Sequence, residues 1–310
     1  MEEIKFGYWP SKRALKAGCV KILPLSDYDE VIEGIKQSGR VAKNWLYPPL
    51  VRADDPQITL DKRPEIYSLP YLIKPTHFLT IPDSPDAKKR GEFLISLLGM
   101  LEGLRLIPDE WIYFYRTAVE RHTLSDIVCQ PKEIEKVLET AQEFWDNNPK
   151  VRRLIFGAIH WFLFSQSYTH EFERFGGQYT VLDTCFRIHC EMKARTSKKS
   201  GNANGLHAER PSFLAREYGI PIPPWAIMNG RKKQCELSKL RNEFFHEGCY
   251  GEGPDGEPIA IGFAYPKFNV PIDLQLAAFN ARLILGIIGI KCRYVRSKVD
   301  TRAMHGLDLD

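Results

Sequence analysis

A chain of 310 residues that is 44% hydrophobic and 26% charged has the make-up of an ordinary soluble globular protein, long enough for one large or two medium cores. A net charge of only +4 excludes a global positive field, so any nucleic-acid site has to be local. Seven cysteines, an odd number spread widely, exclude a disulfide framework and suit a reducing cytoplasm.

The opening Met1-Glu2-Glu3-Ile4-Lys5 lacks the basic-then-apolar pattern of a signal peptide. Residues 1 to about 85 carry prolines at close intervals, among them Pro48, Pro49, Pro56, Pro64, Pro70, Pro75, Pro82 and Pro85. Proline removes a donor and blocks helix interiors, so long helices are not expected there. Asp27 to Ser38 is the exception, because Val31, Ile32 and Ile35 fall on one helical face, and His77 to Ile81 suits a strand. The rest of this stretch reads as irregular.

From Pro85 onward the period becomes helical. Phe93, Leu94, Leu97, Leu98, Leu101 and Leu104 predict a helix ended by Pro108. A second, aromatic-rich helix is expected from Asp109 to Arg121. A third starts at Pro131 and carries Ile134, Val137, Leu138, Ala141, Phe144 and Trp145. Asp146-Asn147-Asn148-Pro149 then breaks the pattern, dividing the chain into an N-terminal domain, 1–148, and a C-terminal domain, 149–310.

In the second half, Val151 to Leu163 predicts a largely buried helix, and another follows Gly176-Gly177 through Val181, Cys185, Phe186, His189 and Met192. Lys193 to Asn202 is a basic polar loop. Arg231-Lys232-Lys233 leads into a helix from Leu237 to Glu247; Gly251 to Pro258 reads as a turn, Ile259 to Phe263 as a short strand, and Asp273 to Cys292 as a last helix. The fold class expected is mainly α: a C-terminal up-and-down bundle preceded by a mixed, partly irregular N-terminal domain. The longest apolar runs, Leu154 to Phe164 and Leu283 to Ile290, are too short to span a bilayer, so no membrane is expected and the place is the cytoplasm.

The chemistry concentrates between Leu237 and Gly248. Leu237, Leu240 and Phe244 give the helix a core face, while Ser238, Asn242 and His246 recur every four residues as a polar stripe. Arg241 sits beside Asn242, and Gly248 stops the helix so that His246 lies in its last turn. A guanidinium, a carboxamide and an imidazole together suit a phosphate and a proton transfer.

Arg241-Asn242-x-x-x-His246 resembles the Arg-polar-x3-His signature of HEPN-domain proteins. The preceding runs ERFGGQYTVLDTCFRIHCE (173–191) and ERPSFLAREYGIPIPPW (209–225) resemble the Apea-like, abortive-infection branch of that family. The resemblance covers roughly residues 150 to 300. It implies a helical domain that cuts RNA without metal or cofactor, the ribose 2′-hydroxyl attacking the adjacent phosphorus and leaving a cyclic phosphate. Carried over, His246 is the general acid or base, Arg241 stabilises the phosphorane, and Asn242 orients His246 or the phosphate, with Asp183 and Ser238 in support. It further implies a homodimer pairing the motif helices, a regulatory partner protein, and a role in phage defence or as a toxin, the N-terminal half sensing a trigger or choosing the RNA. Other HEPN domains only bind nucleotide or a partner protein, which is the alternative expectation. Some toxin members carry a modifiable tyrosine two residues after the histidine; here that position is Gly248, with Tyr250 two further on.

RNA contacts are expected from Lys193, Arg195, Lys198, Lys199, Arg231, Lys232 and Lys233, and a further basic cluster runs from Lys291 to Arg302. Cys185, His189 and Cys190 lack zinc-ligand spacing and read as core, so no metal is expected. Cys249 reads as a bystander, and Gly248 to Gly253 as a turn rather than a phosphate loop.

Overall fold

The computed structural model describes residues 1–54, 57–194, 207–230, 233–250, 272–299 and 304–310. Near the N-terminus, apolar residues alternate with charged ones, the period of a half-buried strand. Strand β1 (Glu2–Gly7) buries Ile4 and Phe6 and exposes Glu3 and Lys5. It joins β2 (Leu15–Ala17), β3 (Val20–Pro24), β4 (His77–Ile81) and β5 (Ile107–Pro108) in an antiparallel sheet of order β2-β3-β4-β1-β5. The register sets Ile4 and Ile22 on either side of Leu79, a buried apolar row.

That row packs on helix α2 (Ala87–Glu102), which is buried from Gly91 to Glu102 because the sheet covers one side and other helices the rest. Contact is close enough that a Cβ at Gly91 would lie 2.4 Å from the Ile4 side chain. Helix α1 (Tyr28–Gln37) lies in the 27–38 stretch where a helix is expected. Helix α3 (Pro131–Asn147) opens with a capping box between Gln130 and Glu133.

The expected mainly-α class is corrected by this structure. Helix makes up 46% and strand 16%, with several antiparallel sheets in the N-terminal region, so the fold is mixed α/β. Besides the five-stranded sheet, Thr117–Ala118, Trp45–Leu46 and Val41–Ala42 form a second, and Leu50–Arg52 pairs with Glu65–Tyr67. Prolines in the first 85 residues suggested irregularity, yet Pro24 ends β3, and Pro108, expected to end a helix, lies in the edge strand β5, both places where a sheet tolerates proline. The helix expected from Asp109 to Arg121 is also absent. Tyr113 is buried between exposed Ile112 and Phe114, and it bridges Tyr71.

Helices α4 (Arg152–Ser165), α5 (Glu171–Lys193) and α8 (Ile272–Ile288) pack together, with α6 (Arg210–Tyr218) laid across α5 and α8. Gly176 and Gly177 lie inside α5 rather than before it, and a Cβ at Gly177 would sit 2.4 Å from the Ser165 Cβ. The missing side chain lets α4 and α5 approach. A buried polar link ties the three helices: Gln178 Nε2 donates to Ser165 Oγ (2.7 Å), and Asn280 Nδ2 donates to Gln178 Oε1 (2.9 Å). The turn and strand expected within 251–263 lie outside the described residues. Among the described residues no helix is long and apolar enough to cross a membrane.

One cluster of buried residues runs from Ile4 to Leu307 and includes side chains from both 1–148 and 149–310. Arg282 on α8, fully buried, joins them: its guanidinium donates to Asp126 (3.2 Å), to Tyr294 Oη (3.1 Å) and to Ser297 Oγ (2.8 Å). Tyr294 in turn donates to Asp126, and burial raises its phenol well above the usual range. Removing one member of a buried ion pair strands the other, which costs about 3–5 kcal/mol. Arg282→Met is therefore expected to lower the denaturation midpoint sharply in urea titrations. Arg296→Met, whose pair with Asp310 is exposed, should leave the midpoint where it is.

Candidate functional site

Helix α7 (Glu236–Asn242) is short and anchored by buried Leu237 and Leu240. Its start is closed by Ser238, whose hydroxyl accepts from the Cys235 N–H (3.0 Å) and donates to the Cys235 carbonyl (2.8 Å). Ser238 is itself buried. The sequence placed it on a polar stripe with Asn242 and His246; the structure spends it on the helix end.

After Asn242 the helix widens into a π turn, Glu243–Glu247, closed where the Gly248 N–H reaches the Glu243 carbonyl. Gly248 has φ +70°, a left-handed conformation that favours glycine. The turn decides the geometry of the site. In an α-helix, residues five apart point about 140° away from each other. A π turn closes i→i+5 hydrogen bonds and so turns less per residue, which brings such a pair nearer to one side. Arg241 Nη1 consequently lies 2.7 Å from His246 Nε2 and also donates to Asn242 Oδ1 at 3.0 Å. A guanidinium only donates, so Nε2 accepts here and the imidazole proton sits on Nδ1.

Phe244, on the opposite side of the same turn, fixes it to α5. Its ring packs against Phe175 and Tyr250 and fills the space over Gly176, where a Cβ would come within 2.9 Å. Tyr250 is buried in this aromatic group, and burial raises its phenol.

Beside Arg241 opens a cleft of about 370 Å³. Tyr179, Asp183 and Arg187, one helical turn apart on α5, form one wall, and Arg241 and Phe245 stand across from them. The Arg241 guanidinium lies over the Tyr179 ring (5.9 Å) and the Phe245 ring (5.5 Å), and its Nε is buried with no hydrogen-bond partner.

The start of α6 adds groups that the sequence reading did not single out. Arg210 Nη1 donates to Asp183 Oδ1 at 2.8 Å, and His207 Nδ1 lies 3.7 Å from that oxygen and 3.3 Å from Tyr179 Oη. The His207 imidazole is held below its ordinary value, first by burial, then by Arg210, Arg241 and His246, with Asp183 opposing. The Tyr179 phenol is raised, chiefly by burial and then by Asp183, so it stays protonated. The signal available in the sequence was faint: His207 stands two residues ahead of the Glu209–Trp225 block.

Arg241 and Asp183 thus line one cleft, and Asn242 and His246 meet the Arg241 guanidinium beside it. Lys193 pairs with Glu217 on α6 (3.5 Å), and Lys233 is exposed ahead of α7. Arg195, Lys198, Lys199, Arg231 and Lys232 lie outside the described residues. In the last basic cluster, Arg293 and Arg296 pair with Asp308 and Asp310. Cys185 is fully buried, and His189 meets Tyr218 Oη (3.0 Å) and Glu217 (3.7 Å).

Loss of a helix-capping hydroxyl costs about 0.5–2 kcal/mol. Ser238→Ala is expected to lower stability by that amount in thermal denaturation while the Arg241 and His246 side chains keep their positions. The chain matches no protein-family profile, no curated protein and no solved structure.

Proposed function

We propose that this chain is a metal-independent endoribonuclease that works as a homodimer in the cytoplasm, as an effector of phage defence or a toxin. The observation that carries the proposal is the 2.7 Å contact between Arg241 and His246 at the edge of an open cleft. The resemblance of Arg241, Asn242, His246 and the two preceding helical runs to Apea-like HEPN proteins supports it.

In this mechanism an RNA phosphate enters between the two groups and takes over the Arg241 donors, since a charged acceptor outcompetes a neutral imidazole. The O2′ proton leaves to a base, the O2′–P bond forms, and the P–O5′ bond breaks. Arg241 stabilises the extra charge of the phosphorane. Freed from Arg241 Nη1, His246 Nε2 takes up a proton at the negative end of its helix and delivers it to the departing O5′. The products are a 2′,3′-cyclic phosphate and a 5′-hydroxyl. Asn242 holds Arg241 in place through its carboxamide oxygen.

General acid catalysis and charge stabilisation each contribute about 10²–10⁴-fold and 10²–10³-fold. Arg241→Ala and His246→Ala should each reduce RNA cleavage by at least two orders of magnitude, and wild-type cleavage should persist in EDTA. Cleavage by both variants at the wild-type rate would refute the assignment. The competing reading is a HEPN module that binds nucleotide or a partner protein without cutting, favoured by the way Arg241 and His246 satisfy each other. Tight binding of RNA with no cyclic-phosphate product would establish that version instead.

A further inference from the structure

Transfer of the O2′ proton needs a base on the far side of the phosphorus from His246, and Arg241 cannot serve because it is always charged. We infer that His207 is that base: its Nδ1 faces the Asp183 carboxylate and the Tyr179 hydroxyl, leaving Nε2 as the free lone pair beside the Arg241 cleft. This rests on the ribonuclease proposal and assigns the second proton-transfer group of the same site.

The tautomer follows from the partners. Asp183 Oδ1 lies 3.7 Å from Nδ1, too far for a hydrogen bond but near enough for its charge to favour a proton on that nitrogen, where the Tyr179 oxygen accepts it and Nε2 is left unprotonated. Asp183 is in turn fixed by Arg210, which donates to the same oxygen at 2.8 Å. Tyr179 supplies a second contact at 3.3 Å and also lies beneath the Arg241 guanidinium. A carboxylate that orients an imidazole from behind is the arrangement a general base needs. The side chain remains 40% exposed, so substrate can reach it.

The charged and titratable groups around His207 are Asp183 and the neutral Tyr179 phenol on α5, Arg210 on α6, and Arg241 and His246 on the motif segment. Burial, with the Arg210 and Arg241 guanidinium groups, outweighs Asp183 and holds the imidazole below its ordinary value, which favours the neutral state a base requires. In the reaction His207 Nε2 accepts the O2′ proton, and His246 Nε2 gives a proton to O5′. The two imidazoles exchange protonation states and are reset by solvent.

The test is the pH dependence of kcat/KM for the full chain on a mixed-sequence single-stranded RNA oligonucleotide carrying a fluorophore and a quencher. A base must be unprotonated, so wild-type activity should fall with unit slope as the pH drops below the ordinary histidine value. His207→Ala should be reduced about 10²–10⁴-fold and lose that acidic limb, and added imidazole should restore part of the rate. His207→Asn keeps a donor toward Asp183 and Tyr179 but cannot take a proton, so it should be as inactive as the alanine variant while retaining the wild-type thermal midpoint. Wild-type activity in His207→Asn would make His207 a positioning group and overturn the inference. So would an unchanged acidic limb in either variant, with the ribonuclease proposal left standing. Absence of cyclic-phosphate product from the wild-type chain would remove both.

Discussion

Everything at the candidate site depends on a ring packed where a glycine leaves room. Phe244 lies over Gly176 of α5 with Phe175 and Tyr250 around it. Phe244 is half-buried, so its burial contributes less than the roughly 1.5–3 kcal/mol of a fully buried phenylalanine, and each aromatic pair adds about 0.5–1.5 kcal/mol. Such contacts offset the poorer hydrogen bonding of a π turn, which a short exposed helix would not otherwise adopt. With Phe244 pinned, the extra residue in the turn swings His246 toward Arg241. A regular α-helix with the same residues would place the imidazole on a different face from the guanidinium.

Electrostatics give the arrangement its direction. Arg241 lies over two aromatic rings, with a buried Nε that no acceptor meets and an Nη1 that uses an imidazole nitrogen and a carboxamide oxygen. Neutral acceptors satisfy a guanidinium less well than an anion does. The site is consequently poised for a phosphate or carboxylate, and the cleft beside it provides the space. Asp183 stands at the same cleft but is held by Arg210, so its charge is largely compensated rather than turned against an incoming anion.

How far the sequence could be read follows from which forces leave a periodic trace. Helices α2, α3, α4 and α8 bury whole faces, and their Leu, Ile, Val and Phe spacing showed them at close to their true positions. His77–Ile81 showed as the strand it is, but the other strands of the sheet, of two to six residues, leave few alternations each, and nearby prolines masked even those. The aromatic run from Trp111 to Tyr115 was misassigned because its apolar content is high on every side, so composition outweighed period. Ser238, Asn242 and His246 share a four-residue spacing but meet different fates: one closes the helix, one holds Arg241, and one is carried round by the π turn. That turn has no period to detect. His207 reaches the site only because α6 docks on α5, a tertiary fact.

The sheet and the helices also stand or fall together. Helix α2 is buried along almost its whole length because the β1–β5 sheet takes one side while α3 and α4 take others. A helix that is apolar all round cannot remain in water, so neither layer is stable without the other. The same holds midway along α8, where the buried Arg282 charge is balanced by Asp126 from the first half of the chain. Helix α2 draws on α4 from the second half as well as on the sheet and α3, Arg282 draws on Asp126 from the first, and the shared core from Ile4 to Leu307 is the consequence. Since α5, which carries Tyr179 and Asp183, packs on α4 and α8, the wall of the cleft is held by helices that themselves lean on the N-terminal half. The site therefore inherits its rigidity from the whole fold, not from the short helix that bears Arg241.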